Sequence, residues 1–348
     1  MTHSMAGTIY DREANLTERN GVSVAASFGT VADEYTAIKE GVAVVDLPWF
    51  GTLEFTGSDR ALFLHNMLSN EVRNLGNGGG CRAASLSVQG KVLGDLIVLD
   101  TEDRMIVLVD GDRHEAVAEH LDRYIIADDV EIADKSANIG MIGVTGPQSC
   151  ALLNACGLPV PDALWSHAAK DGIRVVQMQL TGETTYGVFT ERSALPSLWK
   201  SIVNAGATPA GALAMDAARI ECGLPAAGFE ATENRLPLEV GLDEFLCASK
   251  GCYLGQEPIH RVLIRGHVNR KLFGLKLSTD VPPSVPADVV SAEKTAGEMT
   301  SSAYSPVLGT VIGLAVLHVK RARVGETLTV TTPDGPVNAE VLALPFIR

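Results

Sequence analysis

The sequence predicts an α+β fold followed by a small all-β domain, and two observations lead to this prediction. Up to about residue 223, apolar runs typical of strands alternate with segments whose apolar residues recur at helical spacing. From about residue 268 onward, the apolar segments are short and alternate with polar residues, as in LFGLKL and ETLTVTT. With 348 residues, of which 46% are hydrophobic and 20% charged, the chain can form two or three packed domains.

The first series of strands and helices begins near residue 43. In AVVDLPWFGTLEFTG, short apolar runs are broken by a proline and two glycines, which indicates strands joined by turns. Ser58 precedes an apolar-sided segment and is a suitable N-cap for a helix. The predicted elements are strands and turn over 43–57, a helix over 58–72, neighbouring strands over 85–100 and 104–111, and a helix over 112–125.

A second series starts at MIGVTGPQS (141–149) and continues with two strands within 174–190. Two helices are then predicted over 194–206, whose apolar residues share one helical face, and over 211–223; each segment ends at a glycine. Residues 282–298 are rich in proline and small side chains, which predicts a boundary that carries loops.

Composition and charge exclude several classes of function. The net charge of −14, from 42 acidic and 28 basic side chains, opposes non-specific nucleic-acid binding, although a local basic patch could still bind a small anion. No apolar run reaches the length of a membrane span, and the N-terminus lacks the pattern of a secretory signal. We therefore expect a cytoplasmic protein with neither a nucleic-acid nor a membrane partner. The six cysteines form no C-x-x-C pair, which predicts free thiols and no resident metal site.

The stretch SKGCYLGQEPIHR (249–261) carries the strongest chemical signal. Its thiol, Cys252, lies close in sequence to Lys250, His260 and Arg261, and neighbouring cations favour the nucleophilic thiolate. Flanking glycines allow backbone to approach a ligand closely. A tight turn with an incidental cysteine explains the same composition equally well. The residues by themselves therefore indicate a candidate reactive thiol beside an anion-binding loop.

The motif K-G-C-Y-x-G-Q-E followed by arginine resembles the signature of the YgfZ-type folate-binding proteins. These are relatives of the glycine-cleavage T-protein, an aminomethyltransferase, and are implicated in iron–sulfur cluster assembly or repair. The resemblance extends along most of the chain, through GSDRALFLHNMLSNEVRNL, QGKVLGDLIV, VTGPQS and the Arg-x-Glu-x-Gly-x-Pro segment that begins at Arg219.

The resemblance implies three domains around a central channel that holds tetrahydrofolate or a one-carbon derivative. A T-protein-like folate-binding region would span 20–265 as two interleaved α+β subdomains, one of them over roughly 50–135. A C-terminal β-barrel domain would span 268–348. The residues implied for reactivity are Cys252 and Lys250, and those for folate binding are Gln256, Glu257, Arg261, Asp95 and Arg219. Asp95 and Arg219 could equally be structural ion-pair partners.

Two functions follow from the resemblance, and a folate-binding module with no cluster role fits the residues of the channel almost equally well. In the first, folate binding serves iron–sulfur cluster assembly or repair through Cys252, with client or assembly proteins as partners and a transient or shared cluster site. The alternative is a tetrahydrofolate-dependent aminomethyltransferase or demethylase. Three departures from the T-protein pattern favour the first function: Gly94 precedes Asp95 where a second carboxylate is typical, Gly187 replaces a glutamate that can hold the pterin ring, and Met215 replaces a basic residue.

Overall fold

The computed structural model describes residue 9, residues 14–292 and residues 294–347. Over these residues the chain forms a two-stranded hairpin, a five-stranded sheet, a six-stranded sheet and a closed barrel. Most of the N-terminal stretch that is predicted to lack a secretory signal lies outside the described residues, as does Arg348 at the end of the predicted barrel domain.

Seven α-helices lie within the described residues. They are α1 (Val31–Glu40), α2 (Arg60–Met67), α3 (His114–Asp122), α4 (Ser149–Ala155), α5 (Leu195–Asn204), α6 (Ala212–Glu221) and α7 (Gln256–Arg265). None of these helices is long and apolar enough to cross a membrane.

The strands of the first half of the chain are β1 (Asn15–Arg19), β2 (Val22–Ser27), β3 (Ala43–Asp46), β4 (Gly51–Thr56), β5 (Gly80–Leu86), β6 (Val92–Asp100), β7 (Met105–Asp110), β8 (Glu131–Asp134) and β9 (Ile139–Thr145). Those of the second half are β10 (His167–Lys170), β11 (Ile173–Met178), β12 (Thr185–Glu191), β13 (Thr208–Pro209), β14 (Arg270–Leu277), β15 (Ala287–Ser291), β16 (Lys294–Ser305), β17 (Thr310–His318), β18 (Thr327–Thr332) and β19 (Gly335–Leu342).

The five-stranded sheet has the order β5-β6-β7-β4-β8, is antiparallel throughout and has two different faces. Successive residues of a strand point to opposite faces. In β6, Leu96 joins the core beneath α2 and α3, whereas Ile97 joins a second core shared with the rest of the molecule. Gly94 lies on the helix side, because a Cβ there would be 2.6 Å from Val117 of α3. Asp95 therefore lies on the face turned toward the shared core.

The six-stranded sheet has the order β10-β11-β12-β9-β3-β13, and its short strand β13 runs parallel to β3. Its outer face is covered by α4 and α5, whose Leu153 and Trp199 are buried. Its inner face contributes Met141 and Met178 to the shared core. The two sheets thus enclose one apolar layer between them.

The barrel closes in the order β14-β17-β16-β15-β18-β19 around its own core, which includes Met299 and Val330. Leu314 and Val316 of β17 instead belong to the shared core, together with Ala218 of α6. The barrel therefore packs on the sheets through α6. This mixed architecture with a C-terminal barrel confirms the predicted fold class.

Two local predictions are wrong. Residues 282–298 do not form a loop-bearing boundary, because β15 begins immediately after Pro286 and β16 follows it. The helix predicted from Ser58 is shorter, since α2 starts at Arg60 and the Ser58 hydroxyl donates instead to Asp129 at 2.9 Å.

Candidate functional site

A pair of carboxylates lies on the inner face of the five-stranded sheet. Asp95 of β6 and Asp110 of β7 are direct cross-strand partners, so their side chains leave the same face as neighbours. Arg82 of β5 holds Asp95 in a bidentate ion pair, with Nε 2.9 Å from Oδ1 and Nη2 2.6 Å from Oδ2. Asp95 is 3% exposed and Arg82 is 9% exposed. This charge pair is therefore fixed and shielded from solvent.

Asp110 has a different environment from its neighbour. Burial raises the pKa of the Asp110 carboxyl to about 6, and the charge of Asp95 adds to that rise. Arg19, Arg82 and a hydrogen bond from the Trp49 indole oppose the rise without cancelling it. A carboxyl with this pKa exchanges its proton close to neutral pH, as a general acid or base must.

Arg19, at the end of β1, connects this sheet to α6. Its guanidinium lies 4.8 Å from the centroid of the Trp49 ring and 4.7 Å from that of Phe229, distances typical of cation–π contacts. Arg19 Nη1 also donates to both oxygens of Asp216, at 2.9 and 3.1 Å. Burial favours the neutral form of Asp216, but Arg19 and Arg219 outweigh it and hold its pKa below the ordinary value.

Arg219 of α6 extends the network into the barrel. Its Nε donates to Asp216 at 2.5 Å, its Nη1 lies 3.3 Å from Glu230, and its Nη2 donates to the Ser301 hydroxyl at 2.7 Å. Glu230 also accepts from Thr300 at 2.5 Å and from Ser301 at 2.6 Å. Asp95 and Arg219 are the two predicted folate-binding residues that precede the cysteine motif in sequence. Both are therefore held in ion pairs. Ion pairs and hydrogen bonds join the β1–β2 hairpin, α6 and the barrel, and Trp49, which contacts both Arg19 and Asp110, links them to the five-stranded sheet.

Sequence reasoning did not select Arg82, Asp110, Arg19 or Trp49. Asp110 carried a signal, since it is a charged residue at the end of the apolar run MIVLV in a strand predicted to neighbour 85–100. The register that sets it opposite Asp95 is a property of the folded sheet. The other three residues are distant from Asp110 in sequence and meet it only through the fold.

The cysteine motif folds as a turn that leads into α7. Gly255 has φ 78°, and a Cβ there would lie 2.4 Å from the Ser87 carbonyl oxygen, so this position requires glycine. Gln256 starts α7, and its side-chain oxygen accepts a hydrogen bond from the Tyr253 backbone N–H at 2.9 Å. Glu257 and Arg261 lie one helical turn apart on α7 and are exposed.

The ammonium group of Lys250 is committed to the backbone at the end of α2. It donates to the carbonyl oxygens of His65, of Leu68 at 2.6 Å and of Asn70 at 2.8 Å. Burial lowers the pKa of Lys250 to about 8, with Glu71 opposing the shift. All three donors of the ammonium are thus used to hold the motif against the C-terminal end of α2.

An open cleft of about 760 Å³, here named the α7 cleft, lies beside the motif. Its walls include Val88, Cys252, Glu257, His260, Arg261 and Ile264. Cys252 is exposed to solvent there. The thiol with a lowered pKa is Cys247, chiefly because its sulfur lies 3.4 Å from the Ser249 hydroxyl in a hydrogen bond.

The predicted site residues are consequently divided between three places. Asp95 and Arg219 belong to the buried network, and Lys250 holds the motif to α2. The α7 cleft gathers the remaining four, which are Cys252, Gln256, Glu257 and Arg261. Their chemical roles stay predictions.

Comparison with known proteins shows the family to which the sequence is similar. Residues 5–250 match the GCVT N-terminal domain, and residues 270–347 match the glycine cleavage T-protein C-terminal barrel domain. An aminomethyltransferase of Rubrobacter xylanophilus is 29% identical over 96% of this chain and 91% of its own length. The aminomethyltransferase of Bacillus subtilis is 26% identical over 94% of each chain. A chloroplastic protein of Arabidopsis thaliana, named provisionally as a transferase, is 29% identical over 91% of this chain and 75% of its own length.

The fold is shared with a solved structure as well. The crystal structure of the glycine cleavage system aminomethyltransferase T from Bartonella henselae superposes with a TM-score of 0.87, at 19% identity, over 96% of this chain and 94% of that chain. At that identity the likeness concerns the fold. The two domain matches cover most of the sequence, and the chain belongs to the glycine-cleavage T-protein family.

Proposed function

We propose that the protein binds tetrahydrofolate, or a one-carbon derivative of it, where the two sheets and the barrel meet, and that it transfers one-carbon units there as an aminomethyltransferase or demethylase. The observation that carries this proposal is the carboxylate pair of Asp95 and Asp110, next to a network of charged side chains that joins the β1–β2 hairpin, α6 and the barrel. Relatives named as aminomethyltransferases, which match nearly the whole chain, support it.

The residues at this junction fit the reacting end of a reduced folate. A flat heterocycle with hydrogen-bonding edges needs aromatic surfaces and polar partners, and Trp49, Asp95 and Asp110 would supply them. Gly187 offers no charged contact, because a side chain there would first meet the Met178 sulfur at 2.7 Å. The cavity lined by Trp49 and Met215 measures only about 10 Å³, so ligand entry requires the surrounding side chains to move apart.

Bound tetrahydrofolate would supply the nitrogen atoms that accept the one-carbon unit. Asp95, held by Arg82 on both oxygens, presents a fixed negative charge that stabilises positive charge developing on an amine donor. Asp110, with its pKa raised to about 6, can hold or release a proton beside it near neutral pH. This assignment puts the four residues of the α7 cleft outside the folate site.

The test is one-carbon transfer by purified protein, with tetrahydrofolate and N-methylated amine donors, measured as formaldehyde release and as methylene-tetrahydrofolate. We expect activity in the wild type, loss of at least about 100-fold in Asp95→Asn, typical of removing a charge that acts in the transition state, and no change in Cys252→Ala. The absence of transfer with every donor would refute the proposal.

Cys252 favours a second candidate function, iron–sulfur cluster assembly or repair with client or assembly proteins as partners, which is the function that the resemblance to YgfZ-type proteins implies. Its thiol is exposed on a cleft that is separate from the carboxylate pair. Exposure lets a thiol meet a cluster carried by another protein, which a buried thiol cannot do. A cytoplasmic location remains an expectation for either function.

This second function is tested in cells that lack the protein and are exposed to oxidative stress, by the activity of a [4Fe–4S] enzyme. Rescue by the wild type and by Asp95→Asn, but not by Cys252→Ala, supports the assembly role. Rescue by Cys252→Ala as well as by the wild type contradicts it. The two variants therefore separate the functions, because each removes the group that one of them requires.

A further inference from the structure

The chain concentrates positive charge in one segment although its net charge is −14. Residues 258–279 contain no aspartate or glutamate. They contain five cationic side chains and two histidines, namely Arg261, Arg265, Arg270, Lys271, Lys276, His260 and His267. His260 and Arg261 line the α7 cleft, whereas Arg270, Lys271 and Lys276 lie on β14 of the barrel.

Three of these cations make no polar contact with the side chains and backbone that the structure describes. Arg261, Arg270 and Lys271 are exposed, and their side chains make no ion pair or hydrogen bond with any residue that the structure describes. Unpaired surface cations attract anionic groups of a partner and speed its approach.

The α7 cleft also exposes apolar side chains. Among the described side chains of α7, only Ile259 is buried, at 1% exposure. Ile264 is 75% exposed on α7, and Val88 is 57% exposed on the loop between β5 and β6. Both line the α7 cleft, so the exposed apolar surface is concave. A concave apolar surface with a charged margin is the usual form of a recognition site.

We propose that the α7 cleft docks an acidic polypeptide segment of another protein, which places an apolar side chain between Val88 and Ile264 and carboxylates beside Arg261. Glu257 lies one turn before Arg261 on the same wall and repels carboxylates, so the acidic residues of the partner lie toward the Arg261 end. The docked segment also covers Cys252.

A polypeptide suits this surface better than the other anionic macromolecules. A bilayer is flat and cannot reach apolar side chains inside a concave cleft. Nucleic acid carries a dense row of phosphates, which the net charge of −14 opposes. The inference does not depend on folate binding, since none of the buried network lines the cleft.

The test uses fluorescence anisotropy with the full chain and a fluorescein-labelled peptide of repeating Glu-Glu-Leu-Leu. A second peptide, with serine in place of every leucine, keeps the charge and removes the apolar groups. Vesicles of equimolar phosphatidylserine and phosphatidylcholine provide the membrane arm. Arg261→Glu reverses a charge in the cleft, Ile264→Asp removes its apolar wall, and Lys170→Glu reverses an exposed charge on β10 as the matched control.

We expect the leucine peptide to bind, the serine peptide to bind more weakly, and added salt to weaken both. Arg261→Glu and Ile264→Asp should each weaken binding of the leucine peptide by about tenfold, as truncation of a central contact does, while Lys170→Glu leaves it unchanged. The proposal is overturned if the leucine peptide does not bind, if both peptides bind equally, if Lys170→Glu has the same effect as Arg261→Glu, or if vesicles bind and the peptide does not.

Discussion

Asp95 and Asp110 face each other across two neighbouring antiparallel strands, and of the pair it is Asp95 that holds an arginine on both oxygens. The two adjacent carboxyl groups therefore differ in their electrostatic surroundings. Asp95 is a carboxylate ion-paired with Arg82, whereas the pKa of Asp110 is raised to about 6 by burial and by the charge of its neighbour. Two carboxyl groups with separated pKa values are a common basis for acid–base chemistry.

The raised pKa of Asp110 predicts how stability depends on pH. The pKa is about 6 in the folded chain against an ordinary value of 3.8, so between these values the folded state binds more protons than the unfolded state. Stability from this group therefore falls as the pH rises from about 4 to about 6, and the loss is complete above that. Asp110→Asn should remove the loss and raise the unfolding free energy at pH 7 by on the order of 1 kcal/mol, a value reduced for partial exposure.

Urea unfolding of the wild type and of Asp110→Asn at several pH values between 4 and 8 measures this difference. The gap between the two proteins should widen from pH 4 to pH 6 and then stay constant. Parallel pH profiles would show that Asp110 has an ordinary pKa.

We expect Lys250 to stabilise the fold by holding the cysteine motif against the end of α2. Lys250→Ala leaves three carbonyl oxygens at the end of α2 without their donor, and should lower the unfolding free energy by roughly 2–4 kcal/mol. Lys271→Ala is the matched control, because its side chain is exposed and makes no ion pair or side-chain hydrogen bond with the described residues, and it should change stability by less than about 0.5 kcal/mol. A Lys250→Ala protein that keeps its stability and loses function would instead support a chemical role for the lysine.

The turn before α7 depends on Gly255. Gly255→Ala forces a Cβ to 2.4 Å from a backbone oxygen at φ 78°, and should destabilise the protein by about 1–3 kcal/mol. Gly251→Ala, four residues before Gly255, meets nothing within 4 Å and should be close to neutral. Thermal unfolding compares the two, and an equal effect of both substitutions would mean that the motif is not held in this turn.

The cysteines should differ in reactivity. Cys81 is buried, and burial raises the pKa of its thiol to about 12, so alkylation at pH 7.5 should leave it unmodified until the chain unfolds. Cys247, whose pKa is lowered by its contact with Ser249, should react readily, and Ser249→Ala should slow that reaction. Mass spectrometry of iodoacetamide-treated protein follows each thiol. Rapid labelling of Cys81 in the folded protein would contradict its burial.

The sequence was sufficient for the fold class, because strand and helix periods alternate clearly and then give way to short strands. It was insufficient for the candidate site, because the pairing of Asp95 with Asp110 depends on the register between β6 and β7. The helix α7 was also missed. Its third residue is Pro258, which reads as a helix breaker although proline is tolerated in the first turn.

The prediction of a loop over 282–298 was wrong for a related reason. Its prolines lie before β15, and Pro286 directly precedes the first residue of that strand, so they mark where the strand begins. The charge of Asp95 and Arg219 was enough to predict that each could have an ion-pair partner. The identity of the partners, Arg82 and Asp216, required the folded chain.

The most direct test of the central claim is a calorimetric titration of tetrahydrofolate into the wild type, Asp110→Asn and Arg261→Gln. Each variant neutralises one charge, the first at the junction of the sheets and the barrel and the second in the α7 cleft. If folate binds at the junction, Asp110→Asn should weaken binding by about tenfold and Arg261→Gln should leave it unchanged. Weaker binding in Arg261→Gln, with Asp110→Asn equal to the wild type, would place the folate in the cleft and contradict the proposed site.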